Sequence, residues 1–521
     1  MFHKIQNRRG IRFRVATLVV MAAFASGCVH LERVTVDENG VEFPFGISVE
    51  DVSYDGRYVL LKTSGAIDSR DSGSFDDLYR KDMLTGAIEL VSIDDGEVAA
   101  IGGYDGAISD DGDRIVFVSM SGRVVMRTVS AGTTMVVGLD DAGNEATSSF
   151  HPAISGDGTV IAWSTTYPVI GGASNGVGQV YRRDLSTGIV RLVSEATGGG
   201  LANGGSSLPS LSEDGDEVAF LSSASDLVVG DTNGLRDVFV RTAGSVFRAS
   251  TSATGQQANG ESYGPVISGN GHFVAFDSQA TNLHPADTSA SPDIYRKRDT
   301  GAIDLISVDN DGTHLDGPNQ LPSISHDGSI VSFQSGDDDL NFYVNAFGLY
   351  IRDVENATTT RGSALADGTL SWLSTSLFRG LVSGDGNYAV WNVGPSGATS
   401  VPGDTNGQID VLLRWWSEPQ VTTMSPSTLP LGVATTVTIT GSGFRQDAAT
   451  IIATNLANPG VDGIFFSNVE VVDANTIVAE IEVVLGSAAP GDYWVALQHQ
   501  GTGPGVPSGA VGSCLCFTVV P

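Results

Sequence analysis

Ser109-Asp110-Asp111-Gly112, with Ile108 before it and Asp113-Arg114-Ile115-Val116-Phe117 after it, is one of seven copies of a single pattern. The others begin at Ser53 (SYDG), Ser155 (SGDG), Ser212 (SEDG), Ser268 (SGNG), Ser325 (SHDG) and Ser383 (SGDG). Their separations are 56, 46, 57, 56, 57 and 58 residues, and a regular period of this size marks a repeat architecture. The residue before the serine is always aliphatic, from Val52 to Val382. The third residue after the glycine is apolar. The fifth is large: Leu61, Phe117, Trp163, Phe220, Phe276, Phe333 and Trp391. These two positions share one face of a strand. The fourth, on the other face, is mostly small, as in Ala162, Ala219, Ala275 and Ser332. Such strands are covered on both sides, which suits sheets stacked face to face in a ring, large against small. Asp-Gly or Asn-Gly between two strands supplies the positive φ of a tight hairpin.

Two more strands follow in each repeat. One ends near a basic residue, as in LYRKD at 78–82, DIYRKRD at 293–299 and DVLLR at 410–414. The next is amphipathic and runs into Gly or Asp, as in IELVSIDDG at 88–96 and IDLISVDNDG at 303–312. Four strands make one propeller blade. The last repeat lacks its fourth strand after Trp415 and Trp416, while LERVTVDENG at 31–40 has the pattern of a fourth strand and no blade of its own. Pairing the two closes the ring and removes an open sheet edge.

The stretches Pro209–Ser222 and Pro265–Ser278 resemble the TolB-type, WD-repeat-like propeller repeat. The resemblance covers about 390 residues of the 521. It implies an exported protein that binds other proteins or cell-envelope components. Fold by itself does not give function.

Acid dominates the chain, with 60 Asp+Glu against 28 Lys+Arg and a net charge of −32. A field of that sign argues against nucleic acid and anionic membrane as direct partners. The first 28 residues read as an export signal rather than as fold. Lys4, Arg8, Arg9, Arg12 and Arg14 precede an apolar run from Val15 to Phe24. Ala25-Ser26-Gly27-Cys28 resembles a bacterial lipobox, with Ala25 where Leu is usual, which would make Cys28 the lipidated first residue of the mature chain. The rival reading is an A-x-A cleavage site at Ala23-Phe24-Ala25 that releases a soluble protein. Contact with membrane is then expected through the lipid alone, in the periplasm or at the outer membrane. Arg8-Arg9 also permits a twin-arginine signal.

After Trp416 the blade pattern stops. Short alternating strands are expected at 449–453, 464–472, 476–483, 492–498 and 514–520, which is a small sandwich. Pro426, Gly432, the ITGSGF run at 439–444 and Gly491-Asp492-Tyr493 resemble an IPT/TIG immunoglobulin-like domain, a type that implies a spacer or adhesion module. The expected fold is therefore all-β: a signal at 1–28, a seven-bladed β-propeller at 29–417 closed by an N-terminal strand, and an immunoglobulin-like β-sandwich at 418–521. Cys514 and Cys516 stand two apart on the last strand and are expected as buried small residues. The alternative is a strained or intermolecular disulfide.

Two loops between second and third strands are nearly identical, Gly230 to Asp237 and Gly403 to Asp410. A third, Asp287-Thr288-Ser289 to Asp293, is looser. Asp231, Asn233 and Asp237, and likewise Asp404, Asn406 and Asp410, resemble the opening of a calcium loop, without its third acid or terminal Glu. An Asx-turn is the preferred reading, so no metal or cofactor is expected. Gly172-Ala173-Ser174-Asn175-Gly176 matches G-x-S-x-G, but no amphipathic helix follows it, as a nucleophile elbow needs. The histidines show no H-E-x-x-H spacing, and His272 and His326, beside hairpin turns, are expected to be exposed. No enzyme is expected. The leading reading is a lipid-anchored binding or scaffold protein of the bacterial envelope. A secreted adhesion or glycan-binding module is the alternative, and an enzyme on extracellular polymers the third.

Overall fold

The structure is a computed structural model. It describes residues 30–521 apart from 74, 173, 288, 290, 337–346, 364–379, 395–405, 416–419, 427, 431–433, 443–449, 456–463, 474–475, 484–490, 499–509 and 521. Beyond Trp415, side chains are described only within 423–426, 434–440 and 476–481. The described residues form strands arranged in nine four-stranded sheets. Among them no helix is long and apolar enough to cross a membrane.

Seven of the sheets carry the repeat. In the first, Ser48–Val52, Tyr58–Thr63, Asp77–Asp82 and Ile88–Leu90 lie side by side in sequence order, every pair antiparallel. Sheets within 103–136, 149–192, 206–248, 262–305 and 319–361 repeat that order. The seventh has Gly380–Val382, Tyr388–Val393 and Asp410–Trp415, and its outer strand is His30–Arg33 from the start of the chain. His30 pairs with Trp415 and Arg33 with Leu412. The closing strand expected from the sequence is in place, and we number these sheets as blades 1 to 7.

The S-x-D-G hairpins are built identically. Each serine Oγ donates to the Asp (or Asn270) Oδ1 at 2.6–3.1 Å. It accepts the N–H of the residue five positions on at 2.9–3.1 Å. Each closing glycine sits at φ between +70° and +77°, where a side chain would be strained. The pattern is thus a hydrogen-bonding unit, which explains why Ser, Asp and Gly recur and the second position does not.

Large-against-small packing joins the blades. Phe276 and Tyr295 of blade 5 lie in one cluster with Ala219 of blade 4. Phe220 packs with Ala162, and Phe333 with Ala275, in the same way. Within a blade the large residue stacks on the aromatic opposite it, as in Phe276–Tyr295 and Phe220–Phe239, each with centroids 5.8 Å apart.

The basic residue of the third strand has a shared task. Lys81, Arg241, Lys297, Arg352 and Arg414 reach back to the preceding blade and donate to the carbonyls of Val36, Val193, Thr251, Asp309 and Arg361 at 2.7–3.1 Å. Arg183 reaches the Val137 carbonyl at 3.5 Å, and Arg127 meets Glu97. Burial lowers the pKa of Lys81 and Lys297, and carbonyl acceptors offset that penalty.

The remaining two sheets follow the propeller. One has the order Gln420–Ser425, Thr435–Ser442, Thr476–Val483, Ile464–Asp473, and the other Thr428–Pro430, Ala510–Val520, Gly491–Gln498, Thr450–Asn455. Val437, Ile439, Ile477, Ala479 and Ile481 are buried in alternation with more exposed neighbours, as a one-faced sheet requires. Cys514 pairs with Val495, while Cys516 falls at the register shift between the Tyr493–Phe517 and Trp494–Leu515 pairs. The even alternation assumed for the two cysteines is therefore interrupted.

A chain that starts at Val41 loses the outer strand of blade 7. We expect it to aggregate or to melt well below the full chain, because a sheet edge and its apolar cover are exposed. A chain ending at Trp416 should keep the propeller's melting temperature. Thermal unfolding of both beside the full chain checks this, and the opposite ranking would refute the closure.

Candidate functional site

The first strands of the seven blades surround a central channel of about 690 Å³. In blades 2 to 6 each of these strands carries a bulge, at Tyr104/Ala107, Phe150/Ala153, Ser207/Ser210, Tyr263/Val266 and Gln320/Ser323. Within the bulges, Asp105, His151, Leu208, Gly264 and Leu321 take φ between +48° and +55°. Four of the five are not glycine, so the conformation is strained and is held by the ladder on either side. A bulge re-aims its side chain, and all five residues line the channel.

Charge in the channel is mostly negative. Glu50 is paired with Lys62 at 2.6 Å. Asp51 Oδ2 accepts the Ile108 N–H at 2.9 Å and ties blade 1 to blade 2. Asp105 faces the channel beside His151, whose backbone N–H lies 3.4 Å from Asp105 Oδ2. His151 Nδ1 is 3.4 Å from Ser164 Oγ. That hydroxyl donates to the Phe150 carbonyl at 2.9 Å and is buried within its strand, so it is placed as a structural group rather than a nucleophile.

At the S-x-D-G end, the variable second residues of the seven turns meet around the axis. In blade order they are Tyr54, Asp110, Gly156, Glu213, Gly269, His326 and Gly384. A Cβ on Gly156, Gly269 or Gly384 would overlap Asp110, His326 or Tyr54 respectively. Each glycine is the space that a neighbouring side chain fills. His326 Nε2 meets Glu213 Oε2 at 2.6 Å over Gly269, and the Tyr54 ring stands edge-on to His326 with centroids 5.7 Å apart. Burial, then the Glu213 charge, push the Asp110 carboxyl up to about 6, while His326 works the other way. His326 is thus a channel residue with a side chain only 26% exposed, against the exposure expected for it. His272 is exposed and paired with Asp299, as its turn position implies.

Behind the wall of blade 5, Asp277 is 7% exposed. Burial pushes its carboxyl up to about 7. No sequence signal marks it beyond a carboxylate in the second strand, where its counterparts in the repeat are Lys62, Val118, Ser164, Leu221, Gln334 and Asn392.

In the calcium-like loops, the described side chains make turns and ion pairs. Asn233 Oδ1 accepts the Leu235 N–H, and Asn406 Oδ1 accepts the Gln408 N–H, both Asx-turns. Arg248 stands between Asp231 and Asp237, 3.1 and 3.6 Å from their carboxylates. Asp410 accepts from Thr35 Oγ1 at 2.5 Å and has Arg33 Nε at 3.7 Å. Asp404 and Cys28 lie outside the described residues. Ser174 of the G-x-S-x-G match is in the loop between Val160–Thr165 and Gln179–Asp184 and donates to the Thr166 carbonyl, with no helix after it.

Residues 419–511 match the IPT/TIG domain family. This part of the chain is an immunoglobulin-like module, in keeping with its two sheets. No curated protein matches the chain. Among solved structures, it is similar to an oligogalacturonate lyase in complex with manganese at 13% identity, covering 76% of this chain and 95% of that one, with a TM-score of 0.46. It is also similar to the GH74 xyloglucanase from Xanthomonas campestris at 11% identity, covering 80% of this chain and 60% of that one, with a TM-score of 0.42. The propeller domain of Myceliophteria thermophila Cps50 is 8% identical over 72% of this chain and 98% of that one, with a TM-score of 0.40. Likenesses this distant carry nothing about activity.

Two predictions follow from the channel. Gly269→Ala should cost about 1–3 kcal/mol, the usual range for an overpacked site, and adding His326→Ala should recover most of it. Denaturant unfolding of the single and double variants reads this directly. The second concerns Asp277. Its folded pKa of about 7 is above the ordinary aspartate value of 3.8, so the folded state holds a proton that the unfolded state releases. Stability therefore falls as pH rises from about 4 to about 7 and levels off above. Asp277→Asn should remove that fall and be more stable than wild type at pH 8. Equal slopes in the two proteins would refute it.

Proposed function

We propose that this chain is an exported binding or scaffold protein of the bacterial cell envelope that receives a protein or envelope component at its propeller channel. The observation that carries the reading is the channel wall. Strained bulges present Asp105 and His151 to the lumen, and the far end is narrowed by Tyr54, Asp110, Glu213 and His326. The bulges aim these two polar side chains at the lumen, where a ligand can reach them. The polar, mainly acidic lining suits a partner that offers basic or hydrogen-bond-donating groups. The likeness of the repeat to TolB-type propellers and the IPT/TIG match at 419–511 support binding over chemistry. The leader supports export, and Cys28 is the proposed site of the lipid anchor.

Crosslinking in intact envelopes tests the channel. The full chain should enrich one partner, and Asp105→Ala/His151→Ala should lose it at least tenfold with an unchanged melting temperature. Equal enrichment by both would place the partner elsewhere. For the anchor, Cys28→Ala should move the protein from the membrane fraction to the soluble one and abolish fatty-acid labelling. Unchanged fractionation, with no label on wild type, would sink the anchor.

A further inference from the structure

Four blades open their third strand with a buried aspartate: Asp77, Asp237, Asp293 and Asp410, each at most 2% exposed. A hydroxyl from the end of the fourth strand donates to each: Ser92, Ser250, Ser307 and Thr35, at 2.5–2.7 Å. In blades 1, 4 and 5 a second carboxylate lies six residues earlier, at Asp71, Asp231 and Asp287; Asp71 and Asp287 are buried, and the Asp231 side chain is 3% exposed. Two carboxylates taken out of water need a compensating positive charge or a shared proton.

The blades meet this need differently. Blade 4 supplies Arg248, whose guanidinium reaches both Asp231 and Asp237. Arg248 pairs with Phe239 across the sheet, and in blade 5 the equivalent pair is Tyr295 with Leu305. The arginine is therefore missing from blade 5. In its place His314 approaches from the crossover to blade 6, with Nε2 2.8 Å from Asp293 Oδ2. Asp287, Asp293 and His314 each bring a ligand atom to within 4.8 Å of the others. Asn319, fully buried, steadies the cluster from outside: its Nδ2 donates to Asp293 Oδ1 at 3.0 Å and to the Leu315 and Gly317 carbonyls.

We infer that Asp287, Asp293 and His314 form a divalent-cation site in blade 5, filling the role that Arg248 has in blade 4. Two carboxylates and an imidazole, with water completing the shell, suit zinc or manganese better than calcium, which prefers an all-oxygen cage. The outer partners are those of a metal site. Tyr295 Oη donates to Asp287 Oδ2 at 2.6 Å, and Ser307 Oγ to Asp293 Oδ1 at 2.7 Å. Asp316 Oδ1 lies 3.3 Å from His314 Nδ1, and a proton held on Nδ1 would turn the Nε2 lone pair to an entering metal. Metal entry replaces the Nε2–Asp293 contact, and a proton held between them leaves to solvent. The bound ion would join the loop carrying Asp287, the third strand and the crossover carrying His314. The sequence likeness to a calcium loop was greater in blades 4 and 7, where arginine takes the place. The looser third loop is the one left for an ion.

The test uses the full mature chain in a Cys514→Ser/Cys516→Ser background, so that thiols bind no metal. After chelation and dialysis, zinc, manganese or calcium chloride is added singly, and metal content and melting temperature are measured. One equivalent of zinc or manganese per chain, with a melting rise of several degrees that His314→Ala or Asp287→Asn abolishes, is the expected result. Tyr295→Phe/Leu305→Arg, which gives blade 5 the blade 4 pair, should fold and be indifferent to metal. No retained zinc or manganese in the unsubstituted site would overturn the inference. So would a response to calcium alone, or metal uptake by Tyr295→Phe/Leu305→Arg equal to that of the unsubstituted site.

Discussion

Seven backbone hydrogen bonds run from turn to turn around the axis, and the rest of the propeller depends on them. Tyr54 N–H donates to the Asp110 carbonyl, Asp110 to Gly156, Asp157 to Glu213, Glu213 to Gly269, Asn270 to His326, His326 to Gly384, and Asp385 back to Tyr54, at 2.7–3.2 Å. The circuit closes on itself. Each bond requires its turn to sit at a fixed height and angle, which the Ser–Asp–Gly unit provides. Backbone groups at a crowded axis need partners, and the turns supply them to one another. The glycines at Gly156, Gly269 and Gly384 belong to the same constraint, because seven side chains do not fit around one axis.

Outside this inner ring, the joints between blades are of two kinds. One is apolar, a large side chain on a small one, with Asp51, Ser210 and Ser323 accepting a neighbour's N–H along the channel wall. The other is polar, a buried lysine or arginine donating to a carbonyl next door. The second kind explains how a chain with 28 basic residues and 60 acidic ones uses its positive charge. Much of it is turned inward to neutral carbonyls, and the acids are left to the surface, to the channel and to the buried aspartates.

The repeat, the four-strand blade, the alternation of large and small residues and the closing strand were legible in the sequence, because each rests on a period that side-chain type reveals. The basic residue of the third strand was visible, but its partner was not, since a carbonyl has no side-chain signature. The strained bulges were hidden for a similar reason. Asp105, His151, Leu208 and Leu321 have nothing in common as residues, and their conformation is imposed by the ladder. His326 looked like a surface residue because its place in the turn varies. That place faces the axis, so the variation lies where a ligand would read it. Arg248 and Leu305 occupy equivalent positions on very short strands, and only the cross-strand register shows that one has replaced the other.

The closing strand also fixes how the propeller responds to force. His30 and Trp415 are partners at one end of an antiparallel pair, so the chain enters and leaves the ring at neighbouring points. A pull between the N-terminal side of His30 and the C-terminal side of Trp415 loads that pair as a zipper rather than in shear. Its bonds carry the load one at a time, beginning at His30. Blade 7 is then the mechanical weak point of the molecule, and under tension the ring opens at its seam while the other blades are still unloaded.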